Sequence, residues 1–561
     1  MPATPSARSG GRTLVDQLRV HGADMAFCVP GESYLDVLDA LHDAREEIRL
    51  IVCRQEGGAA FMAEAYGKLT GRPGICFVTR GPGATNASIG VHTAFQDSTP
   101  MILFIGQVGG NVVEREAFQE IDYRRMYGPM AKWVAQIDRA ERIPEFLSHA
   151  FHLAVSGRPG PVVLALPEDM LRSTAVVADA PPYTRVKPHP GTADMERMRV
   201  LLAAARQPLV ILGGGDWDPI ACAGIRTFVE ANDLPVACSF RRQDLFDNRH
   251  PNYCGDAGIG IAPALADRIN RADLVLAIGA RLGENPSSGY TLFDIPLPRQ
   301  RLVHVHPGAD ELGRVYRAEL MINSGMPEFA AMASALAPVD ATRWRQWTRD
   351  ARADYLANLR HSPMKGPVDL GEIMAFLRRT LPADTIVTNG AGNYAGWVHR
   401  FYQYSGFRTQ LAPTSGAMGY GVPSAIAAKA LYPERTVVSF SGDGCFLMNG
   451  QELATAAQYG LGVLFIVVNN GMYGTIRMHQ EREYPARIHG TTLQNPDFAA
   501  LARAYRLHGE VVERTEDFEA AFHRARACGR AALLELRIDP DAITTRTELS
   551  AIRRRALGES S

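Results

Sequence analysis

The sequence predicts an α/β protein of three doubly wound parallel-sheet domains. Short apolar runs alternate with segments of helical periodicity along the whole chain, which is the pattern of parallel sheets covered by helices. Glycine and polar clusters follow several of these runs, at the strand ends where α/β proteins bind ligands. Two composition breaks divide the 561 residues into three blocks of domain size.

The breaks set the expected domain boundaries. Residues 178–192 are Pro-rich and are typical of a linker. Residues 361–367 (HSPMKGP) follow a charged helical segment at 342–360. The expected domains span residues 12–178, 190–340 and 366–550.

Within each block, apolar runs bounded by turn residues predict the strands. The tail after Thr544 is polar and basic, which predicts a surface helix or a partly ordered end. The predicted strands are 26–29, 50–53, 74–79, 101–106, 161–166, 208–212, 274–278, 302–306, 385–388, 436–441, 463–468 and 532–538.

Composition excludes several classes of protein. Hydrophobic residues make up 46% of the chain, charged residues 21%, and the formal net charge is -1, so no strong field favours nucleic acid or acidic membranes as partners. We find no apolar run of transmembrane length and no signal-peptide core. The eight cysteines form no CxxC pair, which argues against a disulfide framework or a zinc site. We expect a cytoplasmic protein.

The most informative motif is Gly442-Asp443-Gly444, which follows one predicted strand. The pair Asn469-Asn470 ends the next predicted strand, one helix later. Both clusters therefore face the same crevice at the carboxyl edge of a sheet. A carboxylate, amide oxygens and a loop carbonyl suit a hard cation such as Mg²⁺, and the glycines let backbone N–H groups approach a diphosphate.

This pattern resembles the thiamine-diphosphate signature of the acetolactate synthase and pyruvate decarboxylase superfamily. The resemblance covers nearly the whole chain and implies pyrimidine-binding, central Rossmann-like and diphosphate-binding domains. It implies thiamine diphosphate and Mg²⁺ as cofactors, with Asp443, Asn470 and the Met472 carbonyl around the metal. The further cofactor-binding residues that it implies are Gly31, Gly390, Gly392, Asn393, Met418 (which would prop the cofactor in a bent shape), Gly442, Gly444 and Tyr473.

The resemblance assigns the pyrimidine end of the cofactor to Glu56. This carboxylate would hydrogen-bond the pyrimidine ring and favour its imino tautomer. From the residues alone, a glutamate at a helix start is equally a capping residue. In the superfamily the two ends of the cofactor are bound by different subunits, so we expect a homodimer or homotetramer.

Two charged residues at strand ends have two interpretations each. Arg80 lies where acetolactate synthases usually have serine and benzoylformate decarboxylases histidine. It could clamp a substrate carboxylate, or it could be a surface arginine. Glu32 lies where pyruvate decarboxylases have an acid. It could relay a proton if burial raises its pKa, or it could be an acid near a helix N-terminus.

A second loop resembles the segments that line the substrate channel of acetolactate synthases. In this comparison Phe118 would stack near the thiazolium, Gln119 would hydrogen-bond intermediates, and Lys132 would belong to the channel wall. An aromatic residue at 118 could equally belong to the core.

The match has two departures. Acetolactate synthases that accept a second 2-keto acid usually carry a tryptophan soon after the Asn pair, and none occurs here. The segments Arg281–Glu284 and His304–Pro307 differ from those of FAD-containing synthases, so FAD is possible but not expected. The two histidines are not expected to bind a metal.

The sequence thus predicts thiamine-diphosphate-dependent decarboxylation of a 2-keto acid, with pyruvate as the expected substrate, and carboligation, which is a transferase reaction. The alternative is a non-ligating decarboxylase, a lyase that releases an aldehyde. A non-catalytic homologue is disfavoured by the intact Glu56, Asp443 and Asn470. A nicotinamide-dependent oxidoreductase has only the weak Gly213–Gly215 turn in its support.

Overall fold

The fold was analysed in a computed structural model that describes residues 6–559. Three six-stranded sheets, each entirely parallel, confirm the predicted α/β class. The chain divides into two compact units, Met1–Lys187 and Pro188–Ser561. The first unit contains one of these sheets and the second contains two. The three domain boundaries given above remain predictions.

The sheet of the first unit has the strand order β3-β2-β4-β5-β7-β6, and β1 pairs with β8 antiparallel. Its inner strands are buried on both faces because helices cover them. The strands are β1 (Ala7–Ser9), β2 (Met25–Cys28), β3 (Arg49–Val52), β4 (Gly74–Val78), β5 (Met101–Gln107), β6 (Trp133–Gln136), β7 (Pro161–Pro167) and β8 (Thr174–Val176). The helices are α1 (Gly10–Val20), α2 (Leu35–Asp43), α3 (Glu56–Thr70), α4 (Gly81–Asp97), α5 (Tyr123–Tyr127), α6 (Ile143–Val155) and α7 (Glu168–Arg172).

The central sheet, in the second unit, has the order β11-β10-β9-β12-β13-β14. Its strands are β9 (Pro208–Leu212), β10 (Val236–Ser239), β11 (Tyr253–Ala257), β12 (Leu274–Ile278), β13 (Arg301–His306) and β14 (Leu320–Asn323). Its helices are α8 (Thr192–Ala203), α9 (Pro219–Ala231), α10 (Pro263–Arg271), α11 (Met326–Ala335) and α12 (Arg345–Asn358).

The third sheet, also in the second unit, has the order β16-β15-β17-β18-β20-β19. Its strands are β15 (Ile386–Asn389), β16 (Gln410–Leu411), β17 (Val437–Gly442), β18 (Leu464–Asn469), β19 (His508–Val512) and β20 (Ala532–Arg537). Its helices are α13 (Leu370–Thr380), α14 (Ala395–Phe401), α15 (Gly421–Leu431), α16 (Asp443–Phe446), α17 (Leu453–Gln458), α18 (Gly474–Glu483), α19 (Phe498–Ala504), α20 (Phe518–Ala527) and α21 (Leu549–Ala556).

Helices α3 and α4 of the first unit pack with their backbones close together. A Cβ atom on Gly90 would lie 2.3 Å from that of Ala60, so only glycine fits there. The ammonium group of Lys68 is buried between the two helices, 3.3 Å from the Glu64 carboxylate and hydrogen-bonded to that of Asp97. This charge cluster is compensated only while all its members are present.

We expect Lys68→Met to lower the free energy of unfolding by about 3–5 kcal/mol, because it removes the cation from beside two buried carboxylates. The urea midpoint of the full-length protein measures the effect. Lys187→Met, which changes an exposed lysine, is the control and should leave the midpoint unchanged. Equal midpoints for Lys68→Met and wild type would show that the cluster does not stabilise the fold.

The polar tail forms a helix that docks on α18. Arg553 of α21 donates two hydrogen bonds to the buried carboxylate of Glu481, one of them, from Nε, at 2.7 Å. Arg477 donates a further bond at 3.0 Å. The Arg553 hydrogen bond is the main reason why the pKa of Glu481 is lowered to about 2.

Glu481→Gln should destabilise the protein at pH 7 by up to about 3 kcal/mol, the equivalent of this pKa difference. The carboxylate's contribution is fully present above pH 4.5 and is lost as the pH falls through about 2. The difference in urea midpoint between variant and wild type should therefore shrink as the pH is lowered. Glu483→Gln, an exposed position on the same helix, is the control. A difference that stays constant down to pH 2 would contradict the assignment.

Candidate active site

In the first unit, Glu56 lies at the starts of two adjacent helices. It is the first residue of α3, and its Oε2 accepts a hydrogen bond of 2.9 Å from Asn86 Nδ2 on α4. Gln55, not Glu56, caps the helix, because its side chain accepts from the Gly58 N–H at 3.0 Å. The Glu56 side chain is half-buried.

The loop after β2 packs tightly against the end of β4. A Cβ atom on Gly31 would lie 2.4 Å from the Cβ of Thr79, so this position must be glycine. Glu32 follows and begins a short 3₁₀ turn, where its side chain is exposed. The burial that the proton-relay interpretation requires is not found at this position.

Arg80, at the N-terminus of α4, is buried, which rules out the interpretation as a surface arginine. Its Nη2 lies 3.1 Å from Glu168 Oε2, and its Nε is buried without a hydrogen-bond partner among the described residues. One nitrogen of the guanidinium group is therefore paired with a carboxylate, while another has no hydrogen-bond partner among the described residues. Glu168 was not expected from the sequence, because it lies 88 residues away in α7.

The loop at 113–120 is held at the same helix end. The Gly81 N–H donates to the Gln119 carbonyl at 2.9 Å, and Gln119, with φ +66°, has a buried side-chain oxygen that lacks a partner in the described chain. Phe118 is 71% exposed, so it is not a core residue. Lys132 lies elsewhere: its ammonium donates to the carbonyls of Leu153 and Ser156 at 2.5 and 2.6 Å, at the end of α6.

The second unit contains a cavity of about 260 Å³ at the carboxyl edge of its third sheet. The loops after β15, β17 and β18 line it, as the strand-end argument predicts. The sequence-predicted residues that it brings together are Gly392, Asn393, Met418, Gly442, Asp443, Gly444, Asn470, Met472 and Tyr473. Gly390 lies at its edge, where a Cβ atom would meet the Cys445 sulfur at 2.4 Å.

Asp443 is the most constrained polar group in this cavity. It is only 3% exposed, and its Oδ2 accepts from Gly471 N–H at 2.9 Å and Asn495 Nδ2 at 2.7 Å. Its Oδ1 accepts from the Gly444 N–H at 2.8 Å. Burial raises the pKa of Asp443, and these hydrogen bonds oppose that shift.

Asn495 is a residue that the sequence did not identify. It bridges Asp443 and Asn469, donating to the Asn469 oxygen at 2.9 Å, and its own Oδ1 is buried without a partner among residues 6–559. Its segment pairs with the loop after β18 through Leu493 N–H to Gly471 C=O at 2.8 Å. The only sequence signal is an Asn-Pro turn, which is common in loops.

The opposite wall of the cavity is formed by α14 and the loop before it. Asn393 accepts from Thr475 Oγ1 at 2.9 Å and donates to the Ile543 carbonyl at 3.1 Å. Trp397 lines the cavity with a buried indole N–H that has no described partner. Met418 is half-buried and packs against the apolar core of this sheet.

The residues present fit a diphosphate and a divalent cation. Asp443, Asn470 and the Met472 carbonyl offer the oxygen donors that Mg²⁺ takes. There is no room for a side chain at position 444, since a Cβ atom on Gly444 would lie 2.6 Å from the Tyr473 ring.

The glycine turn at residues 213–215, after strand β9 of the central sheet, is filled by protein contacts. The Trp217 indole donates to the Gly213 carbonyl at 2.8 Å, and a Cβ atom on Gly214 would lie 2.0 Å from the Gly279 carbonyl oxygen. The turn is therefore packed against protein. His304 and His306 are buried and bond to backbone groups of Ala280 and Gly308, and residues 6–559 contain no group of three or more His, Cys, Asp or Glu side chains that could hold a metal ion. Whether FAD binds stays a prediction.

Comparison with known proteins agrees with this geometry. Three family models match: the N-terminal TPP binding domain of thiamine pyrophosphate enzymes at residues 8–126, their central domain at 195–332, and their C-terminal TPP binding domain at 390–536. Among residues 6–559, none of the helices combines the length and apolar character needed to cross a membrane.

Similar curated proteins are acetolactate synthase large subunits. That of Corynebacterium glutamicum is 30% identical over 96% of this chain and 88% of its own length. The large subunit of isozyme 2 from Escherichia coli is 30% identical over 95% of this chain and 96% of its own length. The large subunit from Parasynechococcus marenigrum is 32% identical over 90% of this chain and 83% of its own length. With its three matching domains and these relatives, the chain belongs to the thiamine pyrophosphate enzymes and is of the acetolactate synthase type.

Proposed function

We propose that this enzyme decarboxylates pyruvate and ligates the remaining two-carbon unit to a second carbonyl compound. The observation that supports the proposal is that one chain contains both Glu56, placed for the pyrimidine end of the cofactor, and Asp443, placed for its diphosphate end. Glu56 is presented at the start of α3 with one hydrogen bond, and the buried Asp443 lies in the cavity of the second unit beside Asn470 and Met472.

Thiamine diphosphate, when bound, would supply a nucleophilic carbon for the keto group and a thiazolium ring that takes up the electron pair left behind when CO₂ departs. Glu56 would hold a proton on the pyrimidine ring. Asp443, Asn470 and Met472 would bind Mg²⁺, and Gly442 and Gly444 would leave room for the diphosphate.

The substrate contacts would come from the first unit. Arg80 would orient a keto-acid carboxylate, with Glu168 fixing the guanidinium at 3.1 Å. Gln119 would hydrogen-bond the reacting carbonyl through its unpartnered side chain, and Phe118 would cover it. Lys132 has the weakest support among these residues, since its ammonium is bound at a helix end.

We further propose that two or four copies assemble and that two copies complete each active site. The superfamily's division of the cofactor between subunits supports this. Phe118, 71% exposed, would then be covered in the assembly. Cytoplasmic localisation is part of the same proposal.

Product analysis tests the reaction. The purified protein would be incubated with thiamine diphosphate, Mg²⁺ and pyruvate, and the products identified by NMR. Acetolactate is the expected product. Acetaldehyde alone would replace the proposal by the second candidate, a non-ligating decarboxylase, which the missing tryptophan after Asn470 and the acid at Glu32 favour.

A further inference from the structure

A second cavity, of about 80 Å³, lies elsewhere in the second unit. It is formed by the end of β11, the start of α10, helices α12 and α14, and the segment before α21. A cavity needs roughly 10–15 Å³ of such volume to hold one water molecule. This cavity therefore has room for a small ion but not for a dinucleotide. The residues that define it are Asp256, Ala264, Leu265, His399, Arg400 and Arg546.

Two guanidinium groups in this cavity have no acidic partner among the described residues. Arg400 donates only to backbone carbonyls, of Asn358 at 2.9 Å, Thr545 at 2.6 Å and Arg360 at 3.4 Å. Arg546 donates to the side-chain oxygen of Asn358 at 2.9 Å. Burial and the charge of Arg546 lower the pKa of Arg400 to about 10, so the two cations repel each other. An anion between them would remove that repulsion.

Two further groups suit an anion. Helix α10 begins at this cavity, and its N-cap residue, Ala262, has no side-chain acceptor for the first-turn N–H groups of Ala264 and Leu265. Asp256 has a buried carboxyl oxygen without a partner in the described chain. Burial raises the pKa of Asp256 to about 8, so at neutral pH it is protonated and can donate.

The remaining charges in the cavity are balanced. Arg268 forms an ion pair with Asp354, and its guanidinium stacks over the Trp347 ring, 4.2 Å from the centroid. The net excess of charge at neutral pH is therefore the pair Arg400 and Arg546.

We propose that this cavity is a binding site for a small doubly charged oxyanion, held by Arg400, Arg546 and the N-terminus of α10. Phosphate and a short dicarboxylate share this chemistry. The site is separate from the cofactor cavity, whose lining it does not share, and the inference does not depend on the proposed reaction.

Isothermal titration calorimetry on the full-length protein tests the site. The protein would first be saturated with thiamine diphosphate and Mg²⁺, so that the titrated anion does not enter the diphosphate cavity. Inorganic phosphate and succinate would be titrated separately at constant ionic strength, because exposed arginines attract any anion at low salt. We expect saturable binding of at least one, and the tighter of the two identifies the class of the natural ligand.

The variants Arg546→Gln and Arg400→Lys should each weaken binding at least about tenfold, the loss of one charge-assisted bond. Arg400→Lys keeps the charge but loses the forked geometry. Arg435→Gln is the matched control, since Arg435 also donates to backbone carbonyls, of Asp384 and Arg408, outside this cavity. Should Arg400→Lys fold poorly, Arg546→Gln, at the exposed mouth, decides alone. No saturable binding by wild type, binding that survives both substitutions, or an equal loss in Arg435→Gln would overturn the proposal.

Discussion

Glu56→Gln should lower kcat by roughly 10²–10⁴-fold, the usual contribution of a positioned acid–base group. Glutamine keeps the shape of the side chain and can still accept the hydrogen bond from Asn86 Nδ2, which is 2.9 Å long in the wild type. It cannot accept and return a proton at the pyrimidine ring. Because α3 is capped by Gln55 and not by Glu56, we expect no change in thermal stability.

Steady-state pyruvate consumption and a thermal melt of the same preparation separate the two effects. Glu32→Gln is a useful companion, because Glu32 is an exposed acid at a neighbouring strand end and its loss should affect turnover less. Near-wild-type activity of Glu56→Gln would remove the proton relay from the proposed function. A clear fall in melting temperature together with the fall in rate would point to a structural role for Glu56 instead.

Asp443→Ala should abolish the Mg²⁺-dependent binding of thiamine diphosphate. Changing residues that only support a metal ligand already costs about 10–100-fold in affinity, and Asp443 is the only carboxylate that lines the cavity within residues 6–559. The substitution also removes one of the two acceptors that Asn495 Nδ2 and the Gly471 N–H share, so that only Asn469 Oδ1 remains to both. We therefore expect a loss of affinity of more than about 100-fold.

Calorimetric titration of thiamine diphosphate, with and without Mg²⁺, measures this loss. Asp497→Ala is the control: its carboxylate caps α19 through the Ala500 N–H at 2.7 Å and does not line the cavity. Unchanged affinity in Asp443→Ala would refute the metal assignment. Asn495→Asp tests the neighbouring residue, because a second carboxylate there would repel Asp443 and weaken binding by a smaller factor.

The sequence identified those parts of the site that are continuous in the chain. The Gly-Asp-Gly turn and the Asn pair each follow a buried strand, so their common location at the sheet edge follows from parallel topology alone. Asn495, Asn86, Trp397 and Glu168 were not identified. Each lies on a different segment from the residue that it supports, and its own surroundings in the sequence are ordinary.

The sequence alone was enough to predict the fold class, every interior strand except β10, and the edge strand β3. All twelve predicted strands are present with ends within one residue of those observed, because a strand covered on both faces must be apolar throughout. The strands that it missed lie mainly at sheet edges: β6, β11, β14, β16 and β19. Edge strands bury fewer neighbours, so their composition resembles that of loops.

Only the tertiary structure decided where the charged side chains point. In the sequence, Arg80 is a basic residue at a strand end and Lys132 is one in a channel-like segment, and both were candidates for the substrate site. The structure directs the Lys132 ammonium to the end of α6 and buries the Arg80 guanidinium beside Glu168. Long side chains reach several ångströms, and a desolvated charge goes to whichever compensating group the fold brings near. That group is set by contacts between segments far apart in the chain, which local pattern does not encode.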